Sequence, residues 1–124
     1  NHVNQMVMRA FLETEGHQVT IVGSGKDALK EVDKIDFDLI FMDVQMPEMD
    51  GLTATQHIRH RGDKKSAIPI IAFTANAMAG DQEEYLASGM SDYLAKPIDM
   101  TKLKEIVRKY SDRAAISTAK LVNE

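Results

Sequence analysis

The sequence has no cysteine, so disulfides and thiolate metal sites are excluded. A reducing cytoplasm is compatible with that absence and is the expected location. Long hydrophobic runs are also missing: the longest, such as Ala67 to Phe73, are far too short to span a bilayer. No basic-then-apolar leader opens this stretch, so it is expected to make no membrane contact. If the parent protein is anchored in an inner membrane, the anchor is expected elsewhere. Positive charge is not in excess. The net charge of −4 argues against a phosphate-backbone binder, and no direct nucleic-acid partner is expected. No internal repeat or low-complexity tract is visible. The histidines His2, His17, His57 and His60 form no metal-ligand constellation; His57 and His60 share a helix face but lack a third ligand.

What is present is ordinary for one globular domain: 124 residues, 44% hydrophobic and 27% charged. The organising stretch is Asp38-Leu39-Ile40-Phe41-Met42-Asp43-Val44-Gln45-Met46-Pro47. Leu39 to Met42 are apolar without alternation, as in a strand buried on both faces of a parallel sheet. The run ends on a carboxylate, Asp43, and a turn marked by Pro47 and Asp50-Gly51 follows.

Around it the chain alternates. Val3, Met6, Val7, Ala10 and Phe11 recur at helical spacing from His2 to Glu15, with Asn1 as N-cap and Gly16 as the stop. Gln18 to Val22 read as a strand and Lys26 to Lys34 as a short helix. The strand Asp38 to Asp43 precedes a helix over about Leu52 to His60 and a polar loop, Arg61 to Ser66. Ile68 to Phe73 read as the next buried strand, with Pro69 near its start. Thr74-Ala75-Asn76 leads into a helix over Ala77 to Ser88, ended by Gly89. Asp92 to Ala95 form a short strand delivering Lys96-Pro97, and Thr101 to Tyr110 a final helix. Ser111 to Glu124 have weak periodicity and read as linker or C-terminal tail, leaving 1–110 as the domain. Strict alternation with buried strands predicts an α/β fold, doubly wound, with helices on both faces of a parallel sheet. Such sheets open on a strand, whereas this chain opens on a helix, so a first strand is expected upstream of Asn1.

Three strands end in Asp43, Thr74 and Lys96. In a parallel sheet the carboxyl ends share one edge, so these three should converge there. A carboxylate nucleophile, a hydroxyl donor and an ammonium suit phosphoryl transfer: the first attacks phosphorus and the others stabilise charge on its oxygens. A divalent cation such as Mg2+ normally assists, because a carboxylate repels an incoming phosphodianion.

These pieces resemble the response-regulator receiver domain of two-component systems over almost all of residues 1–110. They are Asn1-His2-Val3-Asn4-Gln5, Met42-Asp43-Val44-Gln45-Met46-Pro47 with Asp50-Gly51, Phe73-Thr74-Ala75-Asn76, and Gly89-Met90-Ser91-Asp92-Tyr93-Leu94-Ala95-Lys96-Pro97. The resemblance implies a five-stranded flavodoxin-like sheet of order 2-1-3-4-5. It makes Asp43 the phosphoacceptor, Thr74 the switch hydroxyl, Lys96 the charge-stabilising cation and Tyr93 a rotameric switch aromatic. Gln45 and Asn76 fall where side chains tune dephosphorylation, and the Gln45 backbone carbonyl would join Asp43 on the metal. Pro97, after a cis peptide, and Gly51 would be structural. The family's acidic pair at the end of the first strand should precede Asn1. Without that pair Mg2+ is expected to bind weakly, and without that strand a gap is expected in the sheet. Simple truncation is the favoured explanation, although Lys120-Leu121-Val122-Asn123-Glu124 is faintly strand-like and could fill the slot.

The motifs look most like receivers fused to hybrid sensor histidine kinases, with a histidine kinase or histidine phosphotransfer domain as partner. The domain is then a phosphoacceptor rather than a turnover enzyme. Two rivals are a receiver-like interaction module that is never phosphorylated and an Asp-nucleophile phosphatase. The latter usually carries a second Asp two residues on, where this chain has Gln45. Taken singly, Asp43 could be a turn former, Thr74 an N-cap, Lys96 a solvated lysine and Tyr93 half-buried core; Asp50-Gly51 read as turn chemistry.

Overall fold

The computed structural model describes residues 2–44, 49–111 and 119–123. Five helices and five strands alternate: α1 His2–Thr14, β1 Gln18–Val22, α2 Gly25–Lys34, β2 Leu39–Asp43, α3 Gly51–Arg59, β3 Ile70–Thr74, α4 Ala79–Ala87, β4 Asp92–Ala95, α5 Met100–Ser111 and β5 Ala119–Asn123. The polar loop after α3 contains a 3-10 turn, Lys64–Ala67, which Asp63 caps by accepting from the Lys65 amide. Ser24 and Asp50 cap α2 and α3 by accepting from the amides of Asp27 and Thr53. Asn1, expected to cap α1, lies outside the described residues.

All strands are parallel, in the order β1-β5-β2-β3-β4. Side-chain alternation on the central strands divides the core in two. Ile40, Met42, Ile70 and Ala72 pack with Ala28, Val32, Ala54, Ile58 and Tyr85 from α2, α3 and α4. Leu39, Phe41, Ile71 and Phe73 pack on the other face with Met8, Leu12, Leu103, Ile106 and Val107 from α1 and α5. Every residue of β2 and β3 is buried, as their unbroken apolar runs require.

The expected gap is absent. Ala119–Asn123, read from the sequence as linker or tail, forms the central strand between β1 and β2. Thr20 and Ile40 both lie level with Leu121, and Ile21 and Phe41 with Val122. Spatially the sheet keeps the order 2-1-3-4-5, but its central strand comes from the end of the chain rather than from a segment before α1. The physical reason is the pair of open edges that β1 and β2 would otherwise present: buried N–H and C=O groups without partners are costly, and any short extended segment within reach relieves them.

Arg59, at the end of α3, ties the two layers of connections together. Its guanidinium donates to the carbonyls of Gly89 (2.7 Å), Ser66 (2.8 Å) and Ile68 (2.7 Å) and approaches Ser91 Oγ at 3.4 Å. Burial lowers its pKa, but an arginine stays protonated. Arg59→Met is expected to cost about 2–3 kcal/mol, because several carbonyls lose a charged donor at once. Urea unfolding at unchanged m-value checks this, and Arg59→Lys should recover little, since an ammonium lacks the planar fork.

Candidate functional site

The carboxyl edge of the sheet carries the site. Asp43 ends β2 at 3% exposure, a burial that a carboxylate tolerates only with partners. Lys96, directly after β4, supplies one: its Nζ lies 2.7 Å from Asp43 Oδ2. The ammonium also lies over the ring of Phe73, 4.9 Å from its centroid, so the aromatic face helps to aim it. The Lys96 amide donates to the Thr74 carbonyl at 2.8 Å, extending the β3–β4 ladder by one step, and the Lys96–Pro97 peptide is cis. The structure thus brings Asp43 and Lys96 together, although the two residues are far apart in the chain.

Gly51 closes the loop after Asp43 by donating its amide to the Val44 carbonyl at 3.0 Å. A Cβ at Gly51 would collide with the Asp43 carbonyl oxygen, so this is a close approach of backbone to backbone that only glycine permits. Asp50 serves as helix cap, in keeping with its reading as turn chemistry. Gln45 and Pro47 lie outside the described residues.

Thr74 is at the same edge, one position beyond Phe73, the β3 partner of Asp43. By alternation it faces α4, whereas Asp43 shares the parity of Leu39 and Phe41 on the α1/α5 side. Its hydroxyl accepts from the Asn76 amide at 2.9 Å and contacts the Tyr85 hydroxyl at 2.9 Å and the Asn76 carbonyl at 3.2 Å. The structure thus brings Asp43 and Lys96 into contact and holds Thr74 beside them but turned toward α4. Nor does Thr74 cap α4: the N-cap is Met78, without a side-chain hydrogen bond, and the helix starts two residues later than its expected Ala77. The Asn76 side chain is exposed, and its backbone rather than its amide group engages Thr74.

Tyr93 is half-buried on β4, packed against the α2–α4 core layer. With Asp92, Lys102, Glu105, Ile106 and Lys109 it lines a shallow cleft beside α5. The aromatic that touches Thr74 is instead Tyr85, the buried residue of α4. One signal for it was overlooked: a single tyrosine directly after the polar segment Gly80-Asp81-Gln82-Glu83-Glu84.

Among the described residues, no group of three or more His, Cys, Asp or Glu side chains could hold a metal ion. No described helix is long and apolar enough to cross a membrane.

Comparison with known proteins agrees with this geometry. Residues 1–108 match the family described as response regulator receiver domain. The histidine-protein kinase BarA of Escherichia coli K12 is 42% identical over 118 residues, covering 95% of this chain and 13% of that protein. The sensor protein GacS of Pseudomonas syringae is 42% identical over 116 residues, covering 92% of this chain and 13% of that protein. The chain therefore spans about an eighth of the length of these relatives, 13% of each. Among solved structures, the receiver domain of sensor histidine kinase PA1611 from Pseudomonas aeruginosa, with magnesium in its active-site cleft, superposes with a TM-score of 0.79 at 42% identity, covering 89% of each chain. The Saccharomyces cerevisiae Ssk1 receiver, co-crystallised with the histidine phosphotransfer protein Ypd1, gives 0.82 at 26% identity, covering 94% of this chain and 86% of that one. On a family match over residues 1–108 and 42% identity to parts of BarA and GacS, the chain belongs to the response regulator receiver domain family.

Proposed function

We propose that Asp43 accepts a phosphoryl group from a phosphohistidine and that Lys96 stabilises the charge that moves with it. The observation that supports this most directly is the 2.7 Å contact between Lys96 Nζ and the buried Asp43 carboxylate at the carboxyl edge of the sheet. A carboxylate oxygen of Asp43 attacks phosphorus while the phosphorus–nitrogen bond breaks. The imidazole leaves with the bonding pair and takes up a proton, and Asp43 becomes an acyl phosphate. The ammonium, already at the carboxylate, then neutralises a phosphoryl oxygen without moving far, which is the preorganisation that phosphoryl transfer rewards. Thr74 donates its hydroxyl to a second oxygen, and Tyr93 rotates as the α4–β4–α5 face changes its population of states.

The donor is a histidine kinase or a histidine phosphotransfer domain, a reading supported by the Ssk1 receiver bound to Ypd1. Similarity to BarA and GacS supports a hybrid sensor kinase as the parent protein, with this domain on the cytoplasmic side. Magnesium, present in the PA1611 receiver, would supply charge neutralisation at the phosphoryl group. The described residues do not complete that site: Asp43 is one carboxylate, and the Gln45 carbonyl expected beside it lies outside them. Any magnesium held here on those residues would be held weakly.

The test is intact mass after incubation with magnesium and phosphoramidate. One added phosphoryl group is expected, absent in Asp43→Asn and released by hydroxylamine. No gain in the parent chain, or an equal gain in Asp43→Asn, would overturn the assignment and leave the unphosphorylated interaction module as the better reading.

A further inference from the structure

Thr74 reaches the phosphoryl group only if its single hydroxyl hydrogen is free to point there, and the oxygen distances around it decide where that hydrogen goes. Three oxygens form a triangle at the top of α4: Thr74 Oγ1, Tyr85 Oη and the Asn76 carbonyl. The sides are 2.9 Å for Thr74–Tyr85, 2.6 Å for Tyr85–Asn76 and 3.2 Å for Thr74–Asn76. The carbonyl only accepts, so two hydroxyl hydrogens serve three short contacts. The shortest side fixes the first hydrogen, with Tyr85 donating to Asn76. Thr74 then donates to Tyr85, the nearer of its two acceptors, while itself accepting from the Asn76 amide at 2.9 Å. Tyr85 is 3% exposed and Thr74 2% exposed, so water does not offer either hydroxyl an alternative.

We infer that Tyr85 is a positioning residue that holds the Thr74 hydroxyl in reserve, facing α4, until an acyl phosphate on Asp43 draws the hydrogen away. This rests on the reading of Asp43 as phosphoacceptor. When Thr74 turns toward the phosphoryl oxygen, Tyr85 loses its donor, and the loss is felt directly in α4, the helix that carries it. The triangle therefore does two things at once. It opposes the phosphorylated arrangement by one hydrogen bond, and it connects the chemistry at the sheet edge to a helix of the outer layer without requiring Tyr93.

The test uses the full chain and the rate of phosphoryl uptake from phosphoramidate, read by intact mass, in five variants beside the parent. Tyr85→Phe keeps the buried ring and removes only the hydroxyl; uptake is expected to rise about fivefold, the size of one net hydrogen bond. In a Thr74→Val background, Tyr85→Phe should change nothing, because the hydroxyl it restrains is gone. Thr74→Ser, which restores a hydroxyl, should restore the Tyr85→Phe effect in the Thr74→Ser/Tyr85→Phe double variant. A purely structural tyrosine would alter uptake equally in all backgrounds. Parent uptake at Asp43 with no acceleration in Tyr85→Phe, or an acceleration that persists in Thr74→Val, overturns this role and leaves the phosphoacceptor reading intact. Absence of uptake in the parent chain itself overturns both.

Discussion

A chain ended at residue 118 is expected to lose cooperative folding. The removed segment includes β5, which is hydrogen-bonded to β1 on one side and β2 on the other. Without it β1 has no strand neighbour, and β2, buried along its whole length, keeps β3 alone. The inner edge of β2 would then present unpaired amides and carbonyls, each costing about 1–3 kcal/mol where water cannot enter. Together these losses amount to about 5 kcal/mol or more, comparable with the whole stability of a domain this size. Far-UV circular dichroism against temperature and urea should show a broad, non-cooperative loss of signal in place of a sharp transition. A sharp melt within a few degrees of the parent would refute the central role of β5. The same slot makes a second outcome specific: fusing an apolar strand that ends in two acids before Asn1 should restore cooperative folding to the shortened chain. In the full chain the added strand and β5 would compete for one position, which proteolysis of the displaced tail would reveal.

The contrast between β5 and the other strands shows what local sequence can and cannot specify. Leu39-Ile40-Phe41-Met42 and Ile70-Ile71-Ala72-Phe73 announce themselves, because burial on both faces demands an unbroken apolar run. Their ends carry Asp43 and Thr74, and the parallel arrangement turns two positions distant in the chain into neighbours. The Asp43–Lys96 contact was legible for that reason alone, through topology rather than spacing. Ala119-Lys120-Leu121-Val122-Asn123 has no comparable signature. Lys120 to Glu124 are only faintly strand-like, and what makes Ala119–Asn123 a strand is the open position between β1 and β2, which the segment itself does not encode. Thr74 illustrates a different limit. Read locally, a threonine before a helix is a cap; here its hydroxyl is taken by the Asn76 amide and Tyr85, and α4 begins later, at Ala79. Tyr85 and Arg59 were missed because their partners, Thr74 in the one case and Gly89, Ser66 and Ile68 in the other, are set by how helices lie on the sheet.

Lys96→Met is expected to slow phosphoryl uptake at Asp43 by about 10²–10³-fold, the range seen when one preorganised charge stabiliser is removed from a transition state. Methionine preserves the length of the stem, so the change isolates the ammonium. The same substitution should destabilise the unmodified fold, because the Asp43 side chain, 5% exposed, would lose its lysine partner. The Lys96 side chain retains 21% exposure, so the cost falls below that of a fully enclosed pair, at about 2–3 kcal/mol. Two readouts then separate chemistry from folding. In Asp43→Asn/Lys96→Met the buried charge is gone, so urea unfolding should recover most of the lost stability while uptake stays at zero. Lys96→Arg should keep the fold but restore uptake only in part, since a broad planar guanidinium cannot occupy the point now held by Nζ. A time course by intact mass in which Lys96→Met takes up phosphate within about threefold of the parent would mean that the lysine is a structural counter-ion to Asp43, and charge stabilisation in the transfer would have to come from elsewhere.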